Sequence, residues 1–264
     1  MTAPADDPRA LYSPARLALF RLYLHTLFWR RFNAVRVARD GWPAERFAGR
    51  PVVVYCNHPS WWDPALLLFV SEKLFPGRRP YAPMAARELE RYRLFRRFGV
   101  FGIDMDAPRG AARFLRLAGG LLEGGDTLLG VTAEGAFTDS RQRPVRLRPG
   151  IAHLARRAPH AVFLPVALEY AFWNEGRPEA LLSVGKALPP GDRDVAGWTR
   201  LMEDALTEVM DGLAQASASR DPGAFHTLLS GRAGMGGPYD AMRRVRAAVS
   251  GQAFSARHEA GEGR

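Results

Sequence analysis

Short apolar stretches alternate with longer segments of helical periodicity through the middle of the chain. The predicted strands are residues 51–56, 80–86, 99–104, 127–133 and 161–168. The predicted helices are residues 63–74, 87–97, 109–123 and 149–158, and another helix follows from Trp198 to Ala214. Alternating strands and helices predict an α/β fold with a mostly parallel central sheet flanked by helices.

The segment that precedes this body carries apolar residues at helical spacing. Leu17, Phe20, Leu24 and Leu27 recur every three or four residues from Pro14 onward, and several arginines are interleaved with them. Such a helix either packs on the core or lies in the plane of a membrane, with its arginines at the level of the headgroups. Both readings stay open at this point.

The chain is strongly basic, with a formal net charge of +10 and an isoelectric point near 10.5. This charge favours an anionic partner, such as a membrane surface, a nucleic acid or a phosphorylated substrate. Nucleic-acid binding fits only the charge, since neither a recognition helix nor an aromatic–basic sheet motif supports it. We therefore expect an anionic membrane surface as a partner and no nucleic acid.

Two further features bear on the compartment. Cys56 is the single cysteine, which excludes an intramolecular disulfide and fits a reducing compartment. A thiol nucleophile is conceivable, but a small apolar residue in a central strand is favoured. Asp6 and Asp7 argue against a signal peptide, and the chain has no apolar run of about 18 residues that would predict a transmembrane helix.

The stretch from Val52 to Asp63 carries the chemistry. Its first five residues are apolar and predict a strand buried on both faces, and Pro59 prevents the strand from continuing. His58 then lies beyond the carboxyl end of the strand, where ligands gather in open α/β sheets. Four residues separate His58 from Asp63, so the carboxylate can bond one imidazole nitrogen and leave the other to take a proton from a hydroxyl.

A histidine followed by an aspartate is common and by itself weak support for catalysis. A second apolar strand is followed in the same way by Glu134 and Gly135. With Gly99–Asp104 and Leu164-Pro165-Val166, these segments form an ordered series. The series resembles the glycerolipid acyltransferase family, typified by the bacterial lysophosphatidic acid acyltransferases, which carries N-H-x4-D, G-x-I-F-I-x-R, P-E-G-T and V-P-V blocks in this order.

The resemblance spans about residues 50–190 and implies roles for individual residues. His58 would be the general base on the acceptor hydroxyl, and Asp63 its partner. The acyl group would come from a thioester, acyl-CoA or acyl-carrier protein as cosubstrate, without a metal or another cofactor. The residues implied in substrate binding are Asn57, Ser60, Glu134, Gly135, Arg109 and Arg148.

Two departures from the family pattern concern the acceptor. Met105 stands where the family has the arginine that helps to hold the acceptor phosphate, and Arg109 lies four residues further on. Ala136 stands where the family has the threonine after Glu-Gly. Because a phosphate held without a guanidinium loses charge-assisted hydrogen bonds, the acceptor is either a lysophospholipid or a phosphate-free lipid, such as a glycolipid or an amino-acid lipid.

Three activities compete on this basis: O-acyl transfer, non-catalytic lipid binding at a membrane surface, and hydrolysis of a thioester or ester. The first is favoured, at the cytoplasmic face of the cell membrane, with the protein held peripherally or monotopically. The predicted organisation is a disordered N-terminus (1–13), an N-terminal amphipathic helical segment (14–40), an acyltransferase domain (41–215) and a Gly/Arg-rich C-terminal extension (216–264).

Overall fold

The computed structural model describes residues 7–43, 47–104 and 107–232. The helices are α1 (Pro8–Leu11), α2 (Pro14–Arg31), α3 (Asp63–Leu74), α4 (Ala86–Arg91), α5 (Pro108–Leu121), α6 (Gly150–Arg157) and α7 (Val195–Ser219). The strands are β1 (Ala34–Ala38), β2 (Val52–Cys56), β3 (Arg79–Ala85), β4 (Val100–Ile103), β5 (Thr127–Thr132), β6 (Val162–Ala171), β7 (Glu179–Val184) and β8 (Phe225–Ser230). Two 3₁₀ helices span Arg93–Phe98 and Pro222–Ala224.

All eight of these strands join one sheet, in the order β4-β3-β5-β2-β6-β7-β1-β8. Five of the seven neighbouring pairs in the described residues are parallel; β6–β7 and β1–β8 are antiparallel. This confirms the predicted α/β fold with a mostly parallel central sheet. Since β2, β3, β4, β5 and β6 run in the same direction, their carboxyl ends meet at one edge of the sheet.

Helices cover both faces of the sheet, as expected for a mostly parallel sheet. Alternate residues of β2 point to opposite sides: Val53 and Tyr55 enter one core, and Val54 and Cys56 enter the other. The first core is closed by α5, α6 and α7, and the second by α2 and α3. Burial on both faces explains why β2 is an uninterrupted apolar run.

The five predicted strands and the predicted helices are present, with one change. The segment predicted as a single helix over residues 87–97 consists of α4 followed by the first 3₁₀ helix. Three strands, β1, β7 and β8, were missed by the sequence analysis. Strand β8 lies within the segment predicted to be a C-terminal extension, whose residues 233–264 lie outside the described chain. Helix α1 lies in the segment predicted to be disordered, of which residues 1–6 are not described.

Strand β1 was missed because a charged residue stands in its centre. Arg36 is buried, and its Nε donates to Glu179 Oε2 at 3.0 Å. Its Nη1 donates to Thr227 Oγ1 at 2.7 Å. The guanidinium is therefore satisfied from the two neighbouring strands, β7 and β8. Tertiary pairing makes a five-residue segment with an arginine suitable for the sheet interior.

Helix α2 packs on the core with one face and exposes apolar residues on the other. Leu17, Leu24 and Phe28 are buried, whereas Leu19 and Leu22 are 69% and 65% exposed. Core packing, one of the two alternatives left open by the sequence, is thus established for the buried face. In the described residues, no helix has both the length and the apolar character needed to cross a bilayer.

Candidate active site

The candidate site lies at the edge where the parallel strands end. His58 leaves β2 through a turn, and Asp63 is the first residue of α3. Glu134 follows the neighbouring strand β5, and Tyr170 lies near the end of β6 on the other side of β2. The parallel strands therefore bring side chains from three adjacent strand ends to the turn that carries His58 and Asp63.

The imidazole of His58 is bonded to a buried carboxylate. His58 Nδ1 lies 2.7 Å from Asp63 Oδ2, and the Asp63 side chain has no exposed surface. Because a carboxylate oxygen can only accept, this bond places the hydrogen of the neutral imidazole on Nδ1. Nε2 then carries the lone pair. The His58 side chain is 16% exposed, so a hydroxyl compound can reach it from solvent.

Asp63 accepts two further hydrogen bonds that fix its orientation. The backbone N–H of Ser60 donates to Oδ2 at 3.0 Å, and the Tyr170 hydroxyl donates to Oδ1 at 2.8 Å. Burial, followed by the negative charge of Asp63, raises the pKa of Tyr170 well above its ordinary value, so the phenol stays a neutral donor. With three donors, the carboxylate is stable without contact with water.

The loop after β5 holds the backbone of His58 from both sides of the residue. The His58 N–H donates to Glu134 Oε2 at 2.6 Å, and the His58 carbonyl accepts from Thr138 N at 3.0 Å. Burial raises the pKa of Glu134, an effect that outweighs the opposing hydrogen bond from His58. Glu134 therefore connects the second sequence block to the histidine turn through the backbone.

Comparison with known protein families identifies the family to which the chain belongs. The model of the acyltransferase family matches residues 34–169, slightly more than half of the 264 residues. The chain belongs to the acyltransferase family. The matched segment contains His58, Asp63 and Glu134, and the match confirms the resemblance drawn from the sequence blocks and a general acyltransferase role. A search of curated proteins finds no match.

Gly135 and Arg148 of this acyltransferase are in direct contact. Gly135 has a φ of +71°, and a Cβ built on it would lie 2.7 Å from both Cγ and Nε of Arg148. The backbone N–H of Arg148 donates to the carbonyl of Ala133 at 2.8 Å. A glycine is thus required twice, by the left-handed backbone and by the adjacent side chain. The structure places Arg148 beside the Glu-Gly turn, and its role in substrate binding stays a prediction.

Asn57 and Ser60, the other predicted substrate-binding residues near His58, make internal hydrogen bonds. Asn57 is buried; its amide Nδ2 donates to the Leu168 carbonyl at 2.9 Å, and its Oδ1 accepts from Leu168 N at 2.8 Å. These bonds fix the end of β6 against the histidine turn. Ser60 contributes its backbone N–H to Asp63. Substrate binding by either residue stays a prediction.

Arg109 lies at the same edge of the sheet, on the helix that follows β4. It is exposed in the first turn of α5, directly after β4, and β4 is three strands from β2 in the sheet. Met105 lies outside the described residues.

An exposed aromatic ring packs against His58. The ring centroid of Phe137 lies 4.4 Å from that of His58, and Phe137 is 65% exposed. Trp61 is 66% exposed and stacks on Trp62, which packs against Phe32 of the core. Trp62 therefore belongs to the core, and Trp61 faces solvent. Phe137 was missed, because nothing in its local sequence indicates a contact with His58.

Cys56 and the metal-ligating residue types were also considered in the sequence. Cys56 is fully buried, and burial raises the pKa of its thiol well above the ordinary value, which identifies a core residue. Among the described residues, no group of three or more His, Cys, Asp or Glu side chains is placed to hold a metal ion. Two cavities, of about 250 Å³ beside Arg78 and about 220 Å³ beside Glu175, are not lined by His58 or Asp63.

Proposed function

We propose that this acyltransferase moves a fatty acyl group from a thioester, acyl-CoA or acyl-carrier protein, to a hydroxyl of a lysophospholipid or related lipid. The observation that carries the proposal is the bond between His58 Nδ1 and the buried Asp63. It leaves Nε2 as the basic nitrogen and gives the imidazolium formed during the reaction a fixed counter-charge. The adjacent exposed aromatic rings of Trp61 and Phe137 suit an acyl chain.

The reaction then proceeds through one tetrahedral intermediate. Nε2 of His58 takes the proton of the acceptor hydroxyl while its oxygen attacks the thioester carbonyl carbon. The carbonyl becomes an oxyanion, for which backbone N–H groups of the neighbouring turns are the candidate donors. Collapse of the oxyanion breaks the carbon–sulfur bond, and the thiolate takes the proton from the imidazolium. The products are an ester and a free thiol, and His58 returns to its neutral form.

A phosphate-free acceptor is the second candidate. Phe137 presents an apolar ring beside His58, where the acceptor hydroxyl must bind, and Arg109 lies on the helix that follows β4, the third strand from β2. An aromatic ring favours an alkyl or sugar face over a phosphate, whose charge requires donors such as guanidinium groups. Arg148, beside Gly135, is the closer candidate for contact with a charged acceptor.

We also propose that the protein works at the cytoplasmic face of the cell membrane, through the outer face of α2. Leu19, Leu22 and Tyr23 are exposed on this face, and Arg30 is exposed near the end of the same helix. Such a face suits the boundary between acyl chains and anionic headgroups. The C-terminal end of α2 reaches the active site, because Phe28 packs against Trp62 in the histidine turn.

The test is acyl transfer from radiolabelled acyl-CoA and acyl-carrier protein to lysophosphatidic acid, other lysolipids and phosphate-free hydroxylated lipids. His58→Ala should abolish transfer and leave the circular dichroism spectrum unchanged. Transfer that persists in the purified variant would contradict the base assignment. Transfer to phosphate-free lipids alone would favour the second candidate. Release of free fatty acid without transfer would indicate a hydrolase, and an inert thioester with retained lipid binding would indicate a lipid-binding protein.

A further inference from the structure

Asp63 is held at its second oxygen by a residue that no sequence block contains. The Tyr170 hydroxyl lies 2.8 Å from Asp63 Oδ1, while His58 and Ser60 N share Oδ2. The carboxylate is wholly buried, so its position depends on these three donors. Without Tyr170, one oxygen of a buried anion would have no recorded partner among the described residues.

The fold places Tyr170 there through the register of β6. Cys56 pairs with Val166, so β6 continues beyond the end of β2, and the Asn57 amide fixes Leu168 at that point. Because side chains alternate along a strand, Tyr170 lies on the same face of the sheet as Leu168. That face carries α3, whose first residue is Asp63. Tyr170 also packs against Phe32, with ring centroids 5.8 Å apart.

We propose that Tyr170 is a positioning residue that acts on His58 through the second oxygen of Asp63. The inference rests on the proposed role of His58 as the base. Tyr170 keeps the carboxylate aligned with Nδ1, and its hydrogen bond draws negative charge toward Oδ1. The attraction of Asp63 for an imidazolium is thereby moderated. Tyr170 thus governs the direction of Nε2 and the pH at which His58 takes up a proton.

The charged and titratable groups around His58 come from several elements. Asp63 begins α3, Glu134 follows β5, Cys56 ends β2, and Arg143 acts on Glu134 from the same loop after β5. Burial keeps the Cys56 thiol neutral by raising its pKa. Tyr170 is therefore a neutral group whose hydroxyl can be removed while the surrounding charges stay the same. Any change in the titration of His58 in such a variant is attributable to the lost hydrogen bond.

The experiment compares wild type, Tyr170→Phe and Tyr55→Phe as full-length proteins. Tyr55 is the matched control, since its buried hydroxyl donates to the Met202 carbonyl on the opposite face of the sheet. Two quantities are measured: the pH dependence of kcat/KM, and the NMR titration of the His58 ring, assigned by its absence in His58→Ala. Incorporation of fluorotyrosine, a stronger donor, supplies a variant that retains the ring and its hydroxyl if Tyr170→Phe fails to fold.

Removal of the Tyr170 hydroxyl takes one hydrogen-bond donor from Asp63, so the carboxylate attracts the His58 imidazolium more strongly. In Tyr170→Phe, we expect the acidic limb of the pH profile and the NMR titration of His58 to move to higher pH by about one unit. This is the size expected for the loss of one hydrogen bond to the Asp63 carboxylate. kcat should fall about tenfold, with KM nearly unchanged. Fluorotyrosine should move the titration downward, and Tyr55→Phe should leave it unmoved.

A titration that is unchanged in Tyr170→Phe and in the fluorotyrosine protein would overturn the inference, even with reduced activity, since that pattern indicates a purely structural tyrosine. An equal shift in Tyr55→Phe would overturn it as well. The NMR titration does not require turnover, so it separates this inference from the proposed function. A shifted titration without acyl transfer would support the positioning role and contradict the function proposed above.

Discussion

Replacing Asp63 with asparagine removes the charge from the pair and changes little of its shape. The amide oxygen can still accept from His58 Nδ1 and Ser60 N, which lie 2.7 and 3.0 Å from Asp63 Oδ2. The amide nitrogen then faces the Tyr170 hydroxyl, which can turn to accept a hydrogen bond. The variant should fold, because each buried polar group keeps a partner.

The magnitude follows from the lost counter-charge. A hydrogen bond to a charged group contributes about 1.5–3 kcal/mol, and Asp63 provides this contribution when the imidazolium forms. Since each 1.36 kcal/mol corresponds to a tenfold change in rate, kcat should fall roughly 10- to 160-fold. If the amide turns and donates to Nδ1, the ring proton moves to Nε2, and the loss of activity is larger.

The assay measures free thiol released from acyl-CoA together with the acylated product, at saturating acceptor. Glu169→Gln is the matched control: Glu169 is a partly buried carboxylate beside Tyr170 on β6, and it accepts from Ser217 Oγ at 2.8 Å. The control should retain activity within about twofold. If Asp63→Asn is folded and equally active, Asp63 does not assist His58 and the proposed mechanism is wrong.

Two further predictions concern the membrane face and the stability of the site. Replacing Leu19, Leu22 and Tyr23 together with glutamine should weaken co-sedimentation with anionic vesicles at least tenfold, because each apolar side chain contributes about 1.5–3 kcal/mol when fully buried. The control is Trp42→Gln, at the opposite edge of the sheet. Unchanged vesicle binding in the triple variant, or an equal loss in the control, would refute the membrane assignment. Burial raises the pKa of Glu134, so its contribution to stability is present below the ordinary carboxyl pKa and is lost as pH rises through the folded value. Glu134→Gln should therefore gain stability relative to wild type as the pH rises above the ordinary carboxyl pKa, measured by urea unfolding. The control is Glu203→Gln, whose carboxylate accepts from Leu147 N. A stability difference that stays constant with pH would contradict this reasoning.

The structure sharpens the choice of variants for the membrane experiment. Deleting residues 14–33 would remove Leu17, Leu24 and Phe28 from the core as well as the exposed face of α2. Loss of vesicle binding in such a deletion could then reflect unfolding. Substitutions confined to the exposed face separate membrane contact from core packing, since both functions share one helix.

The sequence determined the central strands and the core of the candidate site. Strands buried on both faces are continuous apolar runs, so residues 51–56, 127–133 and 161–168 were recognisable without the fold. His58 and Asp63 were recognisable because they follow such a strand at a spacing that allows their side chains to meet, and the structure places them 2.7 Å apart. Local pattern sufficed, since these features depend on residues close in the chain.

Only the tertiary structure decided the partners that lie far apart in the chain. Tyr170 reaches Asp63 across 107 positions, and Arg36 in β1 is satisfied by Glu179 and Thr227 from β7 and β8. Phe137 meets His58 because the loop after β5 bonds to the histidine turn. Hydrogen bonds and ring contacts between distant segments leave no periodic trace in the sequence, since they depend on strand order and register.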